Sequence, residues 1–211
     1  MIGCNFGDWM INFDTKNKRI WDLDSYINKY YNGAELIEEK SIDLPTYTIK
    51  DITNDRNACS LVSLTRLINY YYKDIDPMEI YNFIIIFARK RGYYEEYGTF
   101  PNFISEIGNS YFKLKKIPLK CKGIYFTNFY IHVKNQIDKD RPVIMNIGEG
   151  YYKNHSLTVI GYKIFLYKKL KIKILEVIDG WSKEKRYIDY SALNGLNSLG
   201  AYSFNLIKFN D

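Results

Sequence analysis

Between Asp55 and Tyr72 the chain passes from a polar, turn-prone segment, Asp55-Arg56-Asn57-Ala58, into a run whose apolar side chains recur at Leu61, Leu64, Leu67, Ile68 and Tyr71. Spacings of three and four place these side chains on one stripe of a helix from about Cys59 to Tyr72, and such a stripe must be buried against another element. Cys59 falls in the first turn. There the unpaired main-chain N–H groups and the positive end of the helix dipole favour a thiolate over a thiol. Cysteine is also among the most buried residue types and often acts only as a small hydrophobe, so this placement gains meaning from what else the chain carries.

A nucleophilic cysteine needs a base, and the base needs a group that orients it. The chain has two histidines. His132 lies inside a predicted helix beside Ile131 and Val133, with no acid or cysteine at ligand spacing, and reads as structural. His155 opens the apolar strand His155-Ser156-Leu157-Thr158-Val159-Ile160-Gly161-Tyr162. A second strand then ends in Val177-Ile178-Asp179-Gly180-Trp181.

Cysteine at a helix start, then His-(small)-Leu-x-Val-Ile-Gly-Tyr, then Asp-x-Trp, in that order, resembles the papain-like cysteine peptidase superfamily. It is most similar to the compact bacterial branch that includes the double-glycine leader peptidases and the staphopains. The resemblance runs from about Thr46 to Phe209. It implies Cys59 as nucleophile, His155 as its base, and Asp179 orienting His155 through a hydrogen bond to the other ring nitrogen, with Trp181 shielding that bond. The leader peptidases carry Asp as the third member, as here. Papain-like enzymes place a glutamine six positions before the cysteine, and its amide helps to hold the oxyanion. That position here is Thr53, and Asn54 is the expected substitute, with Asn57 the other nearby amide.

At 211 residues the chain suits one domain with a short extension. Three scattered cysteines, Cys4, Cys59 and Cys121, show no metal-ligand spacing, so no cofactor or metal is expected. The net charge of +6 is spread along the chain, and Lys168 to Lys173 alternates lysine with leucine and isoleucine as the solvated face of a strand does, so no nucleic-acid partner is expected. No run reaches membrane-spanning length. The first residues lack the basic region and apolar core of a signal peptide, which predicts a cytoplasmic chain, with secretion of a processed form left open. The 21 tyrosines and 12 phenylalanines favour aromatic-rich packing or an adhesive groove. Oligomeric state is not legible.

Residues 1–45 read as an extension or arm without chemistry, holding a strand around Trp9 to Phe13 and a helix from Asp22 to Tyr31 closed by Asn32-Gly33. Residues 46–211 read as the catalytic domain. Its helices follow from Cys59, from Asp76-Pro77 to Arg89 (apolar nearly all round, hence buried), from Pro101 to Tyr111 and from Thr127 to Lys139. The aromatic segment from Arg89 to Thr99 either lines a cleft or caps the core. A meander of strands follows at 143–147, 155–166, 170–179, 186–189 and 201–209. The expected fold is α+β and papain-like: an N-terminal helical half with the nucleophile helix packed on a C-terminal antiparallel sheet. The expected function is a cysteine peptidase acting on a peptide or protein through a thioester. The alternatives are a cysteine acyltransferase or transglutaminase-like enzyme, which differs in what deacylates the thioester, and a non-catalytic papain-like binding domain, which the missing glutamine favours.

Overall fold

The computed structural model describes residues 19–125, 129–148, 150–190 and 201–209. The expected strand around Trp9 to Phe13 and Cys4 lie outside these residues. Helix α1 (Leu23–Tyr30) is capped by Asp22, whose side chain accepts from the Ser25 N–H. Strand β1 (Glu35–Ser41) follows. A one-turn helix α2 (Ile49–Ile52) opens on a reciprocal capping box between Thr48 and Asp51. Then come α3 (Cys59–Tyr71) and α4 (Pro77–Arg89). The hairpin β2 (Tyr93–Tyr94) and β3 (Gly98–Thr99) leads to α5 (Pro101–Lys115). Last are β4 (Leu119–Tyr125), α6 (Phe129–Ile137), β5 (Val143–Ile147), β6 (His155–Tyr167), β7 (Leu170–Ile178), β8 (Arg186–Asp189) and β9 (Ala201–Phe209).

The result is an α+β fold, with helices α3, α4 and α5 on one side of a seven-stranded antiparallel sheet. Only β5 to β8 form a meander. Strand β9, expected at its end, returns to the far side of β5 and lies between β5 and β4, giving the order β4-β9-β5-β6-β7-β8. The free edge of β5 takes β9, and β4, unmarked by any strong strand signal, closes that side of the sheet. Strand β1 pairs with residues 161–166 of the long β6, beyond the stretch of β6 that β5 occupies, so residues of the extension complete the sheet. The lysine-rich segment is a strand face only from Leu170 on: Lys168 and Lys169 both take positive φ in the two-residue turn between β6 and β7, and beyond it Ile172 and Ile174 are buried while Lys171 is exposed.

Helix α4 departs from its expected all-round burial. Ile80, Tyr81, Ile84 and Ala88 face α3 and α5, whereas Met78 and Ile86 are exposed, because the helix packs on one side only. Helix α3 is the central one, buried at every position from Ser60 to Asn69. Its Arg66 is fully buried. The guanidinium donates to the Pro45 carbonyl at 3.1 Å, the Tyr47 carbonyl at 2.6 Å and the Thr158 hydroxyl at 3.0 Å, and it lies 4.8 Å from the Tyr47 ring centre. One side chain thereby ties α3 to β6 and to the segment that leads into α2.

Deleting that hub takes the donor from the buried Thr158 hydroxyl and from two partly buried carbonyls and opens a cavity, each a costly change. Arg66→Ala is therefore expected to destabilise the fold by about 3–5 kcal/mol, read as a lower urea midpoint.

Candidate active site

The site forms where the start of α3 meets one end of the sheet. The antiparallel register opposes Thr158 to Ile178, so the first residue of β6, His155, and the residue after β7, Asp179, come to the same edge. Ser63 of α3 donates to the Ser156 carbonyl at 3.3 Å, holding the helix start against this edge. Helix α3 begins at Cys59 because Asp55 folds the preceding residues into a turn, its carboxylate accepting from the Asn57 N–H at 2.8 Å. No side chain caps the helix, which leaves its first N–H groups unclaimed by a capping side chain.

Cys59 is half-buried and hydrogen-bonded to His155. Burial, the largest influence, opposes ionisation of the thiol. The hydrogen bond and charge of His155, with the Ser156 and Ser60 N–H groups, outweigh it and set the thiol below its ordinary value of 9.0. The reciprocal holds for His155: burial disfavours its cation, but Cys59, the Asp179 carbonyl and the Asp179 charge raise it above 6.5. Cys121, by contrast, sits in the core, where burial pushes its thiol up to about 12.

The bond expected from the Asp179 carboxylate comes instead from its main-chain carbonyl, which lies 2.7 Å from His155 Nε2 and leaves Nδ1 as the nitrogen available to Cys59. The Asp179 carboxylate is fully buried and otherwise engaged. Arg19 Nε donates to its Oδ2 at 2.5 Å, Tyr152 donates to the same oxygen at 3.2 Å, and the N–H groups of Trp181 and Ser182 donate to Oδ1. Gly180 takes φ of +75° in this turn, and its carbonyl accepts from the Ile49 N–H at the start of α2. The Trp181 ring lies 4.3 Å from the His155 ring and 5.2 Å from Tyr152, which itself stacks on His155.

Arg19 is the functional-site residue that sequence reasoning missed. It belongs to the extension, 160 residues from its partner, and no local pattern marks it. Its guanidinium also donates to Ser182 at 2.6 Å and stacks over Trp21, which in turn is covered by Arg186.

Cys59 and His155 open onto a cleft of about 400 Å³ between the helical and sheet halves, lined also by Arg56, Phe100, Lys153 and Trp181. The aromatic segment after α4 forms one wall. Asn57 braces it through its side-chain amide, which donates to the Glu95 and Glu96 carbonyls, and Gly98, at φ of +77°, lies so close to the Asn57 carbonyl that a Cβ there would meet it at 2.8 Å. Asn54 is exposed and is not among the residues lining this cleft. His132 is exposed on α6 beside Phe204. Among the described residues no group of three or more histidines, cysteines or acids is arranged to hold a metal ion, and no helix is long and apolar enough to cross a membrane.

The model of the peptidase C39-like family matches residues 41–198. A crystal structure from Bacillus anthracis, assigned as a C39-like peptidase, aligns with 83% of this chain and 100% of that one at 11% identity and a TM-score of 0.47. No curated protein matches the chain.

Two outcomes follow from the geometry. Alkylation of Cys59 by iodoacetamide should stay fast well below pH 9.0 and slow only as acid protonates the thiolate. In His155→Ala burial acts unopposed by the imidazolium, so the rise should move to alkaline pH, as read by mass spectrometry of the Cys59 peptide. Arg19→Met leaves the buried Asp179 carboxylate without its cation and should cost about 3–5 kcal/mol, read by thermal unfolding.

Proposed function

The chain belongs to the peptidase C39-like family, and from that premise we propose that it is a cysteine peptidase that cleaves a peptide bond through a thioester acyl-enzyme. The observation that carries this reading is the mutual displacement of two groups at the cleft: the Cys59 thiol lowered and the His155 imidazole raised, each largely by the other against the opposition of burial. A buried pair arranged this way favours thiolate and imidazolium together, the reactive form of a cysteine nucleophile.

The Cys59 thiolate attacks the carbonyl carbon, and the carbonyl electron pair moves to oxygen. Main-chain N–H groups at the uncapped start of α3 stabilise that oxyanion, Cys59 N–H foremost, with the helix dipole behind them. The intermediate collapses as His155 gives its proton to the departing amine nitrogen, leaving a thioester on Cys59. His155, now neutral, takes a proton from water, whose oxygen attacks the thioester. Release of the carboxylic acid restores the thiolate and the imidazolium. Asp179 serves as the positioning residue: its carbonyl holds His155 Nε2, and its carboxylate, fixed by Arg19, Tyr152 and two N–H groups, keeps that carbonyl in place. Trp181 covers the His155 ring and limits water at this bond. The catalytic unit is residues 46–211, with the segment before it supplying Arg19 and β1.

Incubation with a diverse peptide pool, read by mass spectrometry, tests the reading. Wild type should give new termini and a transient acyl adduct on Cys59. Cys59→Ala and His155→Ala should lose turnover by about 10⁴–10⁶-fold. Asp179→Asn keeps the main-chain carbonyl and should lose less, about 10²-fold. Asn54→Ala should be unchanged. Wild-type protein whose Cys59 is activated but yields only amine-transfer products, or none, would defeat the hydrolytic assignment.

A further inference from the structure

Two cations face the cleft from opposite walls. Arg56 stands three residues before Cys59 on the helical side, and Lys153 stands two residues before His155 on the sheet side. Both are exposed, and among the described residues neither has an ion-pair partner. Among the described residues, three nearby acids are paired with other groups. Asp179 is held by Arg19, Asp51 by Thr48 and Lys183, and Glu95 by Arg89. Asp55 accepts from the Asn57 N–H through Oδ1, while its Oδ2 is buried without a hydrogen-bond partner and forms no ion pair with Arg56, and Glu96 lines the neighbouring depression beyond Tyr97 rather than the cleft. No carboxylate lines the cleft among its described residues. A thiolate–imidazolium pair carries no net charge, so Arg56 and Lys153 give the lining of the cleft a net positive charge.

Around these charges stand rings that present much of their surface to solvent. Tyr97 is 81% exposed, Phe100 65% and Trp181 45%, all three lining the cleft. Exposed aromatics beside unpaired cations form a surface that is unfavourable to leave in water and complementary to a chain of alternating acidic and apolar character.

Resting on the peptidase reading above, we infer that the site selects an anionic substrate: a peptide with an acidic side chain immediately flanking the attacked carbonyl and a large apolar residue beside it. Arg56 offers a planar fork suited to a carboxylate, and Lys153 a point charge on a flexible stem. A cleft lined by one sign of charge also concentrates substrates of the opposite sign before contact.

The charge of the cleft is measured without any peptide by comparing alkylation of Cys59 with anionic iodoacetate and neutral iodoacetamide. In wild type the iodoacetate-to-iodoacetamide rate ratio should exceed that of a free thiolate by about 10-fold, the low end of focusing in charged clefts. It should fall towards the free value in the Arg56→Glu, Lys153→Glu double variant. It should also fall in unmodified protein as ionic strength rises from about 0.01 to 1 M, which shortens the screening length from about 30 to 3 Å. A wild-type ratio equal to that of the free thiolate, or one indifferent to salt, overturns the inference. In a second arm, Cys59→Ala protein is titrated with two labelled peptides identical except for Glu or Lys beside the central bond, read by fluorescence anisotropy. The Glu peptide should bind more tightly and lose its advantage on charge reversal; equal affinities overturn the inference. Failure of the peptidase reading itself shows differently, as Cys59 reactivity that ignores His155→Ala, and it leaves the charge ratio readable.

Discussion

A buried carboxylate with four donors around it holds the candidate site together. Asp179 has almost no contact with water, so its charge is tolerable only while Arg19, Tyr152 and the turn N–H groups surround it. That requirement fixes the turn after β7, and the turn fixes where the Asp179 carbonyl points. The carbonyl sets the plane and tautomer of His155, and His155 presents its other nitrogen to Cys59. The electrostatics of the sulfur thus trace back through one imidazole to an ion pair made with the segment before β1.

A second constraint works from the opposite wall. Arg66 secures α3 to β6 and to residues 45–47, and Ser63 secures the same helix to Ser156, so the helix start cannot slide along the sheet edge. Asn57 and Gly98 then press the β2–β3 hairpin against the approach to Cys59. The placement of Cys59 against His155 is therefore a property of packed secondary structure rather than of a loop.

What the sequence disclosed follows from how local each signal is. The helix at Cys59, the strand opening at His155 and the Asp-Gly-Trp turn are written in spacing and turn chemistry within a few residues, and the elements appear there. Position along a strand also sufficed to bring His155 and Asp179 to one edge, since paired antiparallel strands share their ends. Non-local pairing was not legible: nothing near Leu119–Tyr125 or Ala201–Phe209 announces that β9 threads between β4 and β5. Nor does a residue name say which of its atoms is used. Asp179 stands beside His155, but whether its carboxylate or its carbonyl faces the ring depends on Arg19, which lies 160 residues away. The one-sided burial of α4 was hidden for a related reason, because isoleucines at Ile84, Ile85 and Ile86 leave no polar stripe to mark the solvent face.

Strand β1 bears on how the domain boundary is drawn. The family match begins at residue 41, the last residue of β1, whereas the sheet begins at Glu35. A chain begun at residue 41 would strip the neighbour from residues 162–166 of β6, leaving a row of open N–H and C=O groups flanked by Tyr162, Ile164 and Phe165. An uncovered edge of that composition recruits strands from other molecules. In this fold the Glu- and Lys-rich strand β1 covers that edge and puts charged side chains at the border of the sheet.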